Sequence, residues 1–288
     1  MGKSSKSLFI GAIASALMAS TAYSADLIPP PVVEFEPEYE IGGNLYLRGY
    51  VGFTNQEVDG LANAVLDGAA FEFLQADFES SGLFGGAVGY RVNNWFRADV
   101  SAEYRMRAGF DGFDRYDGDG DGLLTNMTVG NDGTNEYTAD KSEFLILANA
   151  FVDLGSYHRI SPYVGAGVGA SYTMISNLQD INTPQSSTAY ANDHGAWSFA
   201  WALYAGLGFE VNDHLTIDMG YRYLDIGDAE SGDIISSNGT NAIVNPLEFE
   251  GITSHDFTLG FRWNFGEFGH SSHGYGHGGH ASYGQISY

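Results

Sequence analysis

From Asn94 to Arg107 the chain alternates without a break. Phe96, Ala98, Val100, Ala102, Tyr104 and Met106 share one parity; Arg97, Asp99, Ser101, Glu103, Arg105 and Arg107 share the other. Successive side chains of a strand point to opposite faces, so this segment is a strand with one apolar and one charged face. Such a strand fits a soluble sandwich, its apolar face in the core. It also fits a membrane barrel, with the apolar face in lipid and the charged face in the lumen. Seven more segments are strand candidates. They are 45–53, 82–90, 142–153, 163–174, 197–209, 215–223 and 254–265. In the last, Phe257, Leu259, Phe261, Trp263 and Phe265 oppose Asp256, Thr258, Gly260, Arg262 and Asn264. Two are blurred. Glycines obscure the facing of 82–90, and in 142–153 Leu145, Leu147 and Phe151 lie opposite Phe144, Ile146, Ala148, Ala150 and Val152.

Length and spacing decide between the two solvents. Most candidates reach the roughly 9 to 11 residues of a tilted membrane strand. Their connections alternate: short at 91–94, 155–161 and 211–214, long at about 54–81, 108–141, 175–196 and 224–253. Short turns on one side and long loops on the other are the mark of an even-numbered outer-membrane barrel with its long loops outside the cell. Charge agrees, because no Asp, Glu, Lys or Arg falls on the lipid face of the third to eighth candidates, where a basic side chain would cost about 2–4 kcal/mol at the midplane. The expectation is therefore all-β: an eight-stranded antiparallel up-and-down transmembrane β-barrel over 43–266. A lumen of this size can be filled by side chains. Tyr46, Tyr50 and Tyr204 would fill it together with a charge network of Arg48, Arg97, Asp99, Glu103, Arg105, Asp218, Arg222, Asp256 and Arg262, with Arg107 also placed inside. No general pore is then expected. Glycine-rich inner faces on the fifth and sixth strands keep a narrow channel for small solutes as an alternative; a surface binding role through the loops, in adhesion or toward haem, is another.

The ends of the chain add a compartment. Lys3 and Lys6, the apolar run Leu8–Met18 and the small residues up to Ala25 read as a secretory signal peptide over 1–25, too short in its apolar part to span a bilayer as a helix. Residues 26–42, with Pro29, Pro30, Pro31 and Pro37, read as an acidic extended linker. Removal of the signal leaves 10 basic against 36 acidic residues, a formal charge of −26. That balance argues against nucleic acid as a partner. Cysteine is absent, which removes disulfides and thiolate chemistry.

Candidate chemistry is sparse. Asp117, Asp119 and Asp121 alternate with glycines as in the first half of a calcium loop, but the twelfth position is Thr128 rather than a bidentate Glu. The segment reads first as an acidic solvated loop, with calcium as a weak structural ligand the alternative. The four long segments hold 22 acidic residues against Arg115 and the border residue Lys141. The tail 267–288 carries His270, His273, His277 and His280 among Gly, Ser and Tyr, a spacing that defines no metal geometry. Ser254, His255 and Asp256 are neighbours in sequence, yet alternate facing separates the histidine from the other two, so no catalytic triad forms and no enzyme is expected.

The Ala25–Pro31 opening, Gly43–Gly49 (GNLYLRG), Pro162–Gly169 (PYVGAGVG), Gly220–Tyr223 (GYRY) and the terminal strand together resemble the small outer-membrane surface-antigen barrels of alphaproteobacteria, the opacity-like or porin-like family. The resemblance spans most of the mature chain, each piece being short. It implies a bacterial outer-membrane location, with membrane lipid and lipopolysaccharide as surroundings. It also implies a last strand, Phe257, Leu259, Phe261, Trp263 and Phe265, that serves as a signal to the barrel-assembly machinery.

Overall fold

The computed structural model describes residues 44–63, 70–124, 132–241 and 243–266. The signal peptide, the linker and the histidine tail lie outside the described residues. Ten strand segments make eight legs: β1 (Leu45–Asn63), β2 (Phe71–Phe78), β3 (Ser81–Arg91), β4 (Phe96–Tyr116), β5 (Gly133–Asp153), β6 (Ile160–Asn182), β7 (Ser187–Ala191), β8 (His194–Glu210), β9 (Leu215–Ser236) and β10 (Pro246–Asn264). β2 continues into β3, and β7 into β8, each pair forming one leg. Every leg pairs antiparallel with its sequence neighbours, and β1 pairs with β10 from Tyr46↔Asn264 to Asn63↔Leu247. The ring of hydrogen bonds therefore closes without an edge, which is what a sheet needs to stand in hydrocarbon.

Two of the short turns have a common local cause. At the β3–β4 turn Asn93 Oδ1 accepts hydrogen bonds from the Trp95 and Phe96 amides at 2.9 and 2.7 Å. At the β8–β9 turn Asn212 Oδ1 does the same for His214 and Leu215, both at 2.9 Å. A side-chain amide that caps its own turn fixes the register of the hairpin it closes.

The outward face is apolar around the whole circumference near these turns and for some ten residues beyond. Val51, Phe84, Val88, Val100, Ile146, Val168, Leu203, Leu207, Met219 and Leu259 are all exposed there. Inward lie Arg97, Asp99, Glu103, Arg105, Arg222, Asp256 and Arg262, each 5% exposed or less. The glycine-rich strands are resolved by this facing: Phe84, Val88 and Tyr90 point out, while Leu83 and Ala87 point in.

The long loops of the sequence reading are corrected. Most of 54–81, 108–141, 175–196 and 224–253 is strand, with β1 running to Asn63, β2 beginning at Phe71, β4 running to Tyr116, β5 beginning at Gly133, β6 running to Asn182 and β9 to Ser236, so the barrel wall rises well past the apolar band. What hid these extensions is a set of irregularities. Met106 and Arg107 together oppose Ser142, because the register jumps between Arg105↔Glu143 and Ala108↔Lys141. In β6 an extra residue sits at Asn177, whose φ is 55°. Gly227 and Gly251, at φ 79° and 62°, flank register shifts between β9 and β10. A β-bulge adds one residue and so exchanges the two faces of the strand beyond it. Arg107 is accordingly not in the lumen; its side chain is exposed and pairs with Asp140 at 3.2 Å.

Candidate functional site

The barrel interior has two storeys. The lower one, inside the apolar band, is a polar network built by inward positions of every leg. Arg48 meets Asp99 at 3.1 Å, and the Tyr46 hydroxyl donates to the same carboxylate at 3.1 Å. Asn149 donates to Asp99 at 2.7 Å and accepts from the Tyr204 hydroxyl at 2.8 Å. Arg222 joins Glu103 and Asp256, each at 2.6 Å. Arg105 reaches Asp256 at 2.9 Å and Glu143 at 2.8 Å, and Glu143 in turn pairs with Lys141, which also donates to Gln56. Nearer the short turns, Arg97 meets Asp153 at 3.2 Å and Arg262 meets Asp218 at 3.4 Å.

Rings fill the remaining width. The Arg97 guanidinium lies 4.2 Å from the centroid of Phe151 and 4.8 Å from that of Tyr163, and Arg48 lies 5.1 Å from Tyr50. Glycines opposite make this possible. A Cβ on Gly89 would stand 2.1 Å from the Tyr46 ring, and one on Gly206 would stand 2.5 Å from that of Tyr163. The space left by glycines in the sequence is thus occupied by aromatic side chains from the next strand.

Sequence reasoning missed several members of this network: Lys141, Glu143, Gln56, Asn149 and Ser254. Lys141, Glu143, Leu145, Leu147 and Asn149 share one parity, so the signal was present. It was masked because Lys141 was assigned to a loop and the adjacent leucines looked lipid-facing. Ser254 donates to Asp256 at 2.5 Å inside the barrel, whereas His255 points outward and bonds the Tyr221 hydroxyl at 2.7 Å. The sequence neighbours are split across the wall, as alternate facing requires.

The upper storey, above the bulges, is the opposite of the lower. Its interior is an apolar cluster that includes Leu61, Phe78, Phe110, Leu178, Ile226, Ile234, Leu247, Phe249 and Ile252. Phe110 packs edge-on against Phe249 with centroids 4.9 Å apart, and Phe78 lies 5.0 Å from Phe110. Above this cluster the barrel opens into a cavity of about 540 Å³, lined among others by Tyr116, Asn135, Tyr137, Asp180, Asn182 and Asn245. Asp114 is fully buried in the wall; it accepts from the Tyr137 hydroxyl at 2.9 Å and the Asn135 amide at 3.0 Å. Burial raises its carboxyl above the usual range against those hydrogen bonds. Burial, helped by nearby Asp114, pushes Asp180 up to about 7.

In the loop beyond β4, the ligand-type oxygens of Asp117, Asp119 and Asp121 come together with that of Asp132, all within 4.8 Å of one another. Asp117 accepts hydrogen bonds from the Gly120 and Gly122 amides at 2.6 and 2.8 Å, which lower its carboxyl. Gly120 and Gly122 have φ near 78°, the left-handed conformation that this winding turn demands. The terminal-strand residues Phe257, Leu259, Phe261, Trp263 and Phe265 all project outward and are exposed. His270, His273, His277 and His280 lie outside the described residues.

A closed antiparallel barrel with a lipid-compatible belt and a charged interior is the architecture of an outer-membrane protein. The model of the outer membrane protein beta-barrel domain matches residues 12–265, and the chain belongs to that family. It is located in the bacterial outer membrane. An uncharacterised protein of Brucella abortus is 30% identical over 270 residues, covering 85% of this chain and 93% of its own. The outer membrane protein PagN of Salmonella typhimurium is 27% identical over 123 residues, covering 41% of this chain and 48% of its own. Among solved structures, Neisserial surface protein A is 15% identical with a TM-score of 0.40, over 77% of this chain and 97% of the other.

Proposed function

We propose that this protein is a plugged barrel whose work is done at the cell surface by its acidic outer wall and loops, and that it is neither an open solute channel nor an enzyme. The observation that carries this reading is the continuous ladder of ion pairs and rings across the lumen, from Arg262–Asp218 through Arg48–Asp99 to Arg105–Asp256. Above it sits the apolar cluster around Phe249, a second seal that hydrated solutes would have to breach. Separating a buried pair of opposite charges leaves an uncompensated charge, at about 3–5 kcal/mol. Several such pairs would have to part for a water column to form. Planar-bilayer recordings of the purified protein test this: no steady conductance is expected, and regular openings would establish the narrow channel instead.

The aspartate loop supports a subsidiary role for calcium as a weak structural ligand, because folding brings Asp132 to the three alternating carboxylates. Calcium is expected to slow proteolysis within 117–132; equal cleavage with calcium or chelator would remove the ion from the reading. The outward ribbon Phe257–Phe265 on the last strand suits recognition by the barrel-assembly machinery, and the acidic outer wall suits contact with lipopolysaccharide through divalent ions.

A further inference from the structure

The mouth cavity has no role in a plugged barrel, and its lining is chemically one-sided. Asp180 on β6 and Asp117, just past the end of β4, are its carboxylates, with Asp114 behind Tyr137, and no lysine or arginine is among its described lining residues. Several donors of the wall are spent on the wall itself. The Tyr137 hydroxyl donates to Asp114 at 2.9 Å, and the Asn182 amide donates to the Tyr116 hydroxyl at 2.6 Å and to Asn135 Oδ1 at 3.0 Å. What remains over is an acceptor. Asp180 Oδ1 is buried and has no hydrogen-bond partner, and Asp180 stands directly across the β5–β6 ladder from Tyr137. A buried acceptor without a donor is costly, and the raised carboxyl of Asp180 is the same cost seen as a proton affinity.

We propose that this cavity binds a small organic ammonium cation, whose N–H groups are met by Asp180 and whose charge is held near the rings of Tyr116 and Tyr137. A cation supplies positive charge, which the described lining lacks, and a donor for the unpartnered Asp180 Oδ1. Phenol rings favour it further through their negative faces. An inorganic divalent ion fits less well. Calcium requires six to eight oxygens, whereas Asp114 spends one oxygen on the Asn135 amide and the other on Tyr137 and the Asn135 side chain. The volume, about 540 Å³, also suits a molecule rather than an ion. Asn245 and the hydroxyls of Ser187 and Thr188 line the rest of the space and would meet the body of such a molecule. The ammonium group could be that of a free amine or of a lysine side chain on a peptide. The inference does not depend on the lumen below being closed, since the cavity sits above the phenylalanine cluster.

The test is isothermal titration of the full chain in lipid nanodiscs at physiological salt, with 1,5-diaminopentane and with a short neutral peptide carrying one lysine. Saturable binding of at least one probe is expected, and whichever binds more tightly identifies the source of the amine. Asp180→Asn should weaken binding at least tenfold, while Glu248→Gln on the exposed outer wall should leave it unchanged. The heat-dependent gel shift of each variant confirms that the barrel is intact. Absence of saturable binding of both probes would overturn the proposal. So would equal affinity in Asp180→Asn, or displacement of the amine by millimolar calcium or by glucose.

Discussion

Below the bulges the barrel is polar inside and apolar outside; above them it is apolar inside and acidic outside. The same eight legs carry both arrangements. On β4 the inward residues run Arg97, Asp99, Ser101, Glu103, Arg105 and then, past the bulge at Met106–Arg107, Ala108, Phe110 and Gly112. On β10 they run Arg262, Asp256, Ser254 and then Ile252, Phe249 and Leu247. Each storey puts on its outer face whatever its surroundings solvate, lipid below and water above. The interior takes what is left, which must then satisfy itself. In the lower storey that means paired charges, and in the upper one it means packing. The change of level is made by bulges, which are the one backbone device that turns a strand over without ending it.

This contrast can be broken one storey at a time. The largest effect is expected from Asp256→Ala, which strips Arg105 and Arg222 of a shared carboxylate held at 2.9 and 2.6 Å. Loss of one partner of a buried pair costs about 3–5 kcal/mol. The whole barrel should then unfold at lower urea concentration in detergent, and the folded gel species should disappear at lower temperature. Phe249→Ala removes a ring buried against Phe78 and Phe110, a change of about 3–5 kcal/mol in a packed core. Here the damage should stay above the bulges. Proteases should trim the upper wall while the membrane-embedded part keeps its heat-dependent gel shift.

A smaller and pH-dependent effect is expected at Asp180. Its folded pKa, about 7, lies above the ordinary 3.8, so between those values the folded state binds more protons than the unfolded one. Stability of the upper storey should therefore fall as pH rises from about 4 to 7, with the full penalty present above 7. Asp180→Asn should flatten this slope, matching the parent protein near pH 4 and exceeding it at pH 8, as read by the rate of proteolysis of the upper wall. The smallest effect belongs to Arg107→Ala. Its ion pair with Asp140 is exposed, which limits the loss to less than about 1 kcal/mol. A large loss would return Arg107 to the network from which the bulge separates it.

The lower storey was legible in the sequence because its information is local. Sidedness in a strand has a period of two, so Arg97 to Arg105 and Phe257 to Phe265 declare their faces within a few residues. The eight legs and the lipid belt follow from the same count. The upper storey was not legible. The bulge at Met106–Arg107 shifts the parity, so Ala108 to Tyr116 falls out of step with the strand before it and, being acidic, reads as loop; Glu57 to Asn63, where the buried positions pass from Gln56 to Leu61 and Asn63, reads the same way. Strand five shows the same limit on a smaller scale, since Leu145, Leu147 and Phe151 are inward and buried where a lipid-facing reading was equally open. Their proper face is decided by what they meet, Phe151 over Gly165 and against Tyr163 and Tyr204.

By itself, then, the sequence determined the class of fold, the two faces of the membrane strands and most of the charges that point inward, though not Lys141 and Glu143. Only the tertiary structure decided who pairs with whom: Arg105 with Asp256 and Glu143, Arg48 with Asp99, and Asp180 set opposite Tyr137 at the rim of a cavity. The reason is physical. Facing depends on neighbours in the chain, whereas pairing across a lumen joins residues up to about 150 positions apart, such as Arg105 and Asp256, and depends on closure of the ring and on where the bulges fall.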